Sequence, residues 1–600
     1  MYFLVKFIDF ILHILPLRFS LFLGKLIGLF FYLNPKKRRI GIINLKQAFP
    51  YKDFSQLFPI LKKSYLSLGK NIIETFIIDK ILDKVELEIK EKPKEGEIIV
   101  GVHEGSWELY NSVLANQFKF AVLAERQKNN KLDKFLNEKR KSFNLKVCFS
   151  LKELIKSLKE GYRVGIVIDQ GMEKNAKLIP FFNQLVPTAG GAPFLAKKFK
   201  KRIFVAFGYR ERNSHRIVIE KPLECENMSE EEILLSLNKI FEKYISLYPE
   251  EYFWGYKRFK RKKTLSLLIL HEARISHLKY SLAFLEIFKK SEYEIKEEII
   301  EIKYKNFFAR IVAEIFSLFS NPSCLGCGRC LRLILKKDIW EKIKKSYFDI
   351  VISTGEKCAP LNLLISYFFK AKSCVILKPN FNLSKFNLVI LPEHDGIKKD
   401  NVINIKGALA FFSDLDKKWQ EGRVFFKLSK KKKISFFLGN SLKNQVIFNK
   451  NLKIFLEKLK EFSIKKDYKI LVTSSFRTNS EAESILEKSF KDFKNKEALI
   501  IAKRKNWDFV IPTFLKESEI IFVSADSVTM ISESLYLDKI TVAVVLENLP
   551  PKHKKFLKSL DKEYLNILNY PYTDFSFKKS EESLRVFNEK KLKEAFLRLL

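Results

Sequence analysis

The stretch EIIVGVHEGSWE, residues 97–108, decides the fold. Its first half is a short apolar run rich in Ile and Val, the composition of a strand buried on both faces. His103 closes the run, a glycine turn follows, and Ser106 stands where a helix N-cap belongs, with Glu108 in the first turn. Strand, turn and helix in that order make half of a βαβ unit. The alternation continues outward. FKFAVLAE (118–125), LKVCFS (145–150), YRVGIVID (162–169) and RIFVAFGYR (202–210) read as strands, with helices over 130–143, 151–160 and 190–200. After the basic stretch WGYKRFKRKK (254–263) the alternation restarts at TLSLLILH (264–271). Strands then recur at 349–353, 373–377, 387–391, 434–438, 469–473, 498–502, 520–524 and 541–545. The expectation is an α/β chain in four parts, at 1–40, 41–262, 264–428 and 429–600.

Composition sets the frame. The 600 residues are 47% hydrophobic and 30% charged, which is globular and too long for one ordinary domain. Lys+Arg 110 against Asp+Glu 69 leaves a net charge of +41. Such a field suits nucleic acid, an anionic membrane, a phosphorylated glycolipid or a strongly acidic protein. A Lys-rich surface inherited from an AT-rich genome explains the total equally well. No recognition helix, finger or RNA-binding signature accompanies the charge, so nucleic acid is not an expected partner. Seven Cys are too few for a secreted disulfide framework and point to a reducing cytoplasm.

Residues 1–35 are very apolar but interrupted by Lys6, Asp9, His13, Arg18 and Lys25, with Pro16 in the middle. No charge-free run approaches the roughly 20 residues of a spanning helix. Two amphipathic segments, one on each side of Pro16, suit a bilayer interface. The cluster Lys36–Arg39 then faces an anionic cytoplasmic surface. A buried helix pair and one tilted span over 19–35 are the alternatives.

His103 lies at the carboxyl end of its strand, where open α/β sheets place their active sites. An imidazole there, with a carboxylate turning back from the following helix, works as a base and its orienter; Glu108 is positioned for this, whereas Glu104 points away. The ordered series NLKQAFP (44–50), HEGSWE, Arg140, GIVIDQG (165–171), PFFNQLVPTAGGAPFLA (180–196) and YPEEYFWGYKRFK (248–260) resembles the lipid A biosynthesis acyltransferase family over about residues 1–262. That resemblance implies a glycerolipid-acyltransferase-like α/β domain with N-terminal membrane-interface helices, at the cytoplasmic face of a bacterial inner membrane. It implies acyl transfer from the phosphopantetheine thioester of acyl carrier protein to a lipid A precursor or related glycolipid, with no further cofactor. His103 is then the base and Glu108 its orienter. Arg140 is then a fork for acceptor phosphate, Asp169 and Gln170 part of the pocket floor, and Gly190 and Gly191 a helix start facing an oxyanion or phosphate. A salt bridge for Arg140 and a helix cap for Asp169 are the plainer alternatives. Gly105-Ser106 stands where the family usually has Gly-Asn.

In the second half, PEHDG (392–396), GALA (407–410), SSFRT (474–478) and SADSVTMISES (524–534) resemble the ELM family, whose bacterial members are described as glycosyltransferases. The resemblance covers about 264–575 and implies a GT-B-like pair of Rossmann-like domains with a nucleotide-sugar site in the cleft. Arg477 pairs with phosphate on this reading, Ser527 and Thr529 offer hydroxyls, and Glu533 takes a ribose hydroxyl. Phe476-Arg477 stands where the family usually has two arginines. A binding module without catalysis is the alternative. CLGCGRC places Cys324, Cys327 and Cys330 at a spacing that can ligate zinc or an iron–sulfur cluster, with Cys358 or Cys374 as fourth ligand, although the usual near fourth Cys is missing and no metal is expected.

Overall fold

Proline has no N–H to donate and its ring clashes with the preceding turn, so the N-terminal apolar stretch breaks at Pro16. In the computed structural model, which describes residues 2–600 apart from 128, 171–175, 212–213, 322–326 and 562, the two pieces are helices Tyr2–Ile14 and Leu17–Leu33. The second lies on helix Phe54–Phe76, with Ser20, Gly24 and Gly28 buried in the contact. A Cβ on Gly28 would fall on the Tyr65 carbonyl, and one on Gly69 on the Gly24 carbonyl, so these helices approach at backbone distance. Small residues therefore face inward, while Phe19, Phe22, Leu26, Phe30 and Leu33 are exposed. Among the described residues no single helix is long and apolar enough to cross a membrane. Helices Leu17–Leu33 and Pro35–Ala48 pass that test only as a pair bent by 86°. Asn34 makes the corner by accepting from the N–H groups of Lys36 and Lys37.

The chain divides into two units. The first comprises Met1–Leu265 with Glu292–Lys296 and Trp340–Tyr347. Its sheet contains β1 (Val85–Ile89), β2 (Ile98–Gly101), β3 (Phe120–Leu123), β4 (Lys146–Cys148) and β5 (Arg163–Val167). A hairpin, β6 (Lys177–Phe181) and β7 (Gln184–Thr188), precedes β8 (Ile203–Glu211) and β9 (Ser214–Ile219). The order is β1-β9-β8-β2-β5-β3-β4, parallel throughout except for β8 with β9. β2 and β5 are neighbours at the centre, so the residues that follow them, His103 and Asp169, emerge side by side.

The second unit holds two six-stranded sheets. The first consists of β10 (Thr264–His271), β11 (Glu294–Glu301), β12 (Ile350–Thr354), β13 (Lys372–Ile376), β14 (Leu388–Pro392) and β15 (Val402–Ile405), in the order β11-β10-β12-β13-β14-β15. The second consists of β16 (Lys433–Leu438), β17 (Lys469–Ser474), β18 (Lys496–Ile500), β19 (Ile520–Ser524), β20 (Ile540–Val544) and β21 (Asn566–Leu568), in the order β18-β17-β16-β19-β20-β21. That second order is the doubly wound 3-2-1-4-5-6, and the first reverses between β10 and β12. β12, β16 and β19 are buried along their whole length, as parallel strands covered on both faces must be. The last helix, Leu584–Leu599, packs back on β14, β15 and helix Ile275–Lys289, tying the lobes together through Phe288 and Phe596. Two Rossmann-like lobes joined in this way make the second unit GT-B-like.

Candidate functional site

In the first unit the chain turns sharply after β2, and neighbouring segments pin the turn. The Phe253 N–H donates to the His103 carbonyl and the Gly105 N–H to that of Glu251. Asn71 donates its side-chain amide to the Gly105 carbonyl and is itself held by Arg210, which pairs with the buried Glu74. Burial works against the Glu74 charge, yet Arg210 and His215 together bring its pKa down to about 2. Gly105 sits at φ +45, where its missing side chain leaves room for the Tyr110 ring. Asn44, from the NLKQAFP motif, donates to the carbonyls of Trp254 and Tyr256 and so fixes the same segment from below.

The imidazole of His103 is thereby set against Asp169. Nδ1 lies 2.7 Å from one carboxylate oxygen of Asp169, and the other accepts the His103 backbone N–H at 3.1 Å. Asp169 is buried and His103 is a quarter exposed. Burial disfavours the imidazolium, but the charge and hydrogen bond of Asp169 outweigh it, so the His103 pKa lies above its ordinary value. Burial likewise opposes the Asp169 carboxylate, and His103 then Arg258 reverse this, leaving its pKa low. The Gln170 amide nitrogen lies 3.2 Å from His103 Nε2, and Trp107 packs edge-on to the ring at 5.7 Å. With Nδ1–H given to Asp169, the lone pair sits on Nε2.

Glu108 is not the partner of His103. It receives Nε of Arg140 at 3.0 Å and Nη2 at 2.6 Å, a bidentate pair with both side chains mostly buried. The expected orienter and the expected phosphate fork thus satisfy each other, and the plainer salt-bridge alternative describes Arg140. The reason is directional: Glu108 lies one helical turn past the strand exit and projects toward helix Asn130–Ser142, which carries Arg140. Glu108→Gln is therefore expected to cost about 3 kcal/mol, since it leaves a buried guanidinium unpaired; a lowered urea midpoint checks this, and Glu108→Gln with Arg140→Met should recover part of the loss. Glu104 is fully enclosed, accepts from the N–H groups of Val102 and Gly208, and has its pKa raised well above the usual range by burial. Ser106 precedes helix Trp107–Gln117, but its hydroxyl makes no cap bond and its buried Oγ has no hydrogen-bond partner. Gly190 and Gly191 open helix Gly191–Phe199, and the Ala189 N–H to Ile168 carbonyl contact holds that start near the end of β5. A side chain on Gly191 would meet nothing within 4 Å.

In the second unit a cleft of about 620 Å³ opens at the carboxyl ends of strands from both sheets. Arg274, His277, Lys357, Arg477, Thr529, Lys552 and His553 line it. His277 Nδ1 lies 2.9 Å from Glu272, whose other oxygen pairs with Lys357 at 3.1 Å. Burial, only partly offset by Glu272, lowers the His277 pKa. Of the residues predicted for donor binding, Arg477 and Thr529 face this cleft. Ser527 is buried at the start of helix Val528–Tyr536. Glu533 does not line the cleft; its carboxylate is taken by Lys279 at 2.7 Å. Burial pushes the neighbouring Asp526 up to about 6.

Cys324 and the side chain of Cys327 lie outside the described residues, and Cys330 is half-buried in helix Cys327–Ile334. Cys358 and Cys374 are both buried, Cys374 within β13. Among the described residues no group of three His, Cys, Asp or Glu is placed to hold a metal ion.

Residues 1–261 match the family model of bacterial lipid A biosynthesis acyltransferase, and residues 295–592 match that of mitochondrial fission ELM1. The two halves of the chain are thus each similar to one of these families. The lipid A biosynthesis palmitoleoyltransferase of Escherichia coli (strain K12) is 27% identical over 267 residues, covering 41% of this chain and 87% of its own length. The lipid A biosynthesis acyltransferase of Shigella flexneri matches with the same identity and coverage. Among solved structures, UDP-GlcNAc 2-epimerase from Methanocaldococcus jannaschii is 16% identical over 56% of this chain and 99% of its own, with a TM-score of 0.33. MurG from Acinetobacter baumannii is 12% identical over 56% and 93%, with a TM-score of 0.30. The fold of the second unit rests on its strand order.

Proposed function

We propose that the first unit moves an acyl chain from the thioester of acyl carrier protein to a hydroxyl of a lipid A precursor, at the cytoplasmic face of a bacterial inner membrane. The observation that carries this reading is the His103–Asp169 pair at the mouth of two central strands. Asp169 accepts a hydrogen bond from Nδ1–H, so the lone pair on Nε2 can take the proton of the acceptor hydroxyl. The oxygen attacks the thioester carbonyl, and the tetrahedral intermediate collapses with loss of the phosphopantetheine thiolate, which recovers the proton from Nε2. Asp169 stabilises the imidazolium formed between these steps. The Gln170 amide nitrogen, 3.3 Å from Nδ1 and 3.2 Å from Nε2, lies against the imidazole ring. The N–H groups at Gly190 and Gly191 stand at a helix start suited to an oxyanion. No covalent enzyme intermediate and no further cofactor enter the scheme. Lys36–Arg39 suit anionic headgroups, and the basic surface suits the acidic carrier protein.

The test incubates the purified full chain with labelled acyl carrier protein and a lipid A precursor, and weighs the lipid. A product heavier by one acyl chain is expected. An unmodified lipid, where a known lipid A acyltransferase works, overturns the reading.

For the second unit we read the basic cleft as a site for the diphosphate of a nucleotide sugar, in lipopolysaccharide assembly. One observation favours the alternative of a nucleotide- or lipid-binding module without chemistry: Glu533 is engaged by Lys279 and stands outside the cleft lining. Release of nucleoside diphosphate from a panel of nucleotide sugars separates the two. Binding without release, unchanged in Glu533→Gln, supports the module without chemistry.

A further inference from the structure

Helix Phe307–Phe319 of the second unit is built inside out. Ala309, Ala313 and Ser317, spaced four residues apart, are its buried face. Its bulky residues point to solvent: Phe307 is 74% exposed, Phe308 71% and Phe319 83%, with Ile311, Ile315 and Leu318 exposed between them. A helix on a water-facing surface normally does the opposite, burying its large apolar side chains. The helix is firmly seated. Asn306 caps its start, it packs against helices Cys327–Ile334 and Ala359–Phe369, and Lys385 donates to the carbonyls of Ser317 and Leu318 at its end. Its only charges, Arg310 and Glu314, pair with each other at 3.2 Å.

A basic rim borders this face. Residues 303–337 contain seven Lys or Arg and one acid, Glu314. Lys303 and Lys305 precede the helix, and Lys305 donates to the Arg332 carbonyl, which brings helix Cys327–Ile334 alongside. That neighbour exposes Arg329, Arg332 and Leu333. The same design appears in helix Leu17–Leu33, where Ser20, Gly24 and Gly28 face in at the same spacing, Phe and Leu face out, and Lys36–Arg39 follow.

We infer that helix Phe307–Phe319 is an interfacial membrane helix of the second unit: its Phe, Ile and Leu face enters the acyl boundary of an anionic bilayer and its basic rim meets the headgroups. The exposed Phe, Ile and Leu side chains fit hydrocarbon, the mutually paired Arg310 and Glu314 lie at the edge of their face, and the rim charge selects an anionic surface. The second unit on this inference holds the membrane by itself, and its cleft works on a substrate presented there.

The test follows this helix in the full chain. Phe308→Trp adds one indole to the five native tryptophans, and subtraction of the wild-type signal isolates it. With vesicles of phosphatidylcholine and phosphatidylglycerol the added emission should shift to the blue and be quenched by brominated acyl chains. Omitting phosphatidylglycerol, or introducing Ile311→Asp, should weaken that quenching roughly tenfold. If the chain sediments with vesicles but the added indole stays unquenched, the first unit alone binds and the inference fails. It fails also if nothing sediments, or if the blue shift follows protein concentration without lipid, which would mean that a second copy covers the face. Acyl transfer is measured separately, so its presence or absence does not bear on this outcome.

Discussion

His103→Ala is expected to lower acyl transfer by about three orders of magnitude, within the range that a positioned general base supplies. The neutral imidazole is the active form, so wild-type kcat/KM should rise with pH through the His103 pKa, which Asp169 holds above the ordinary 6.5. Vesicle association should be unaffected, because the apolar faces of helices Tyr2–Ile14 and Leu17–Leu33 do not involve the imidazole. Product formation from acyl carrier protein at saturating acceptor, with sedimentation as control, checks both parts. Transfer that persists near the wild-type rate would remove His103 from the chemistry.

Asp169→Asn is expected to reduce kcat by roughly two to four orders of magnitude while substrate KM changes little. The amide neither fixes the tautomer with Nδ1 protonated nor offsets the charge of the imidazolium. The pH profile gives the sharper result. Burial alone pushes the His103 pKa down, and Asp169 is what reverses it. The acid limb of kcat/KM should therefore move to lower pH in Asp169→Asn, on a much reduced plateau. Glu108→Gln should leave the limb in place, since Glu108 contacts Arg140 and not the imidazole. If Glu108→Gln moves the limb and Asp169→Asn does not, Glu108 is the orienter and the pairing described above is not the working one.

Most buried strands were legible because a parallel strand covered on both faces reads as an unbroken apolar run. RVGIV in β5 and IIFVS in β19 leave little alternative. Several strands escaped, β1, β9, β15 and β21 among them, and three others are of another kind. β11, EIKEEIIE, is an edge strand with most of its side chains in water, so its sequence reads as charged. β6 and β7 each contain a proline, a residue depleted in strands, and form a hairpin outside the main sheet. Pro16 was legible as a break because its effect on a helix is local.

The site divides along the same line. That His103 ends a central strand, and that Gly190 and Gly191 start a helix, follows from residues adjacent in sequence. Which carboxylate holds the imidazole does not. Asp169 lies 66 residues from His103 and reaches it only because β2 and β5 are neighbours in the sheet. Glu108, five residues away, is carried off by its helix toward Arg140. The same holds for Glu533, which meets Lys279 from 254 residues earlier. The sequence alone determined the α/β class, the strand-end position of the histidine and the break at Pro16, since each depends on local apolar pattern or backbone sterics. Only the tertiary structure decided the charge partners and which face of helix Phe307–Phe319 is buried, because strand order and helix direction, not sequence spacing, set which side chains meet.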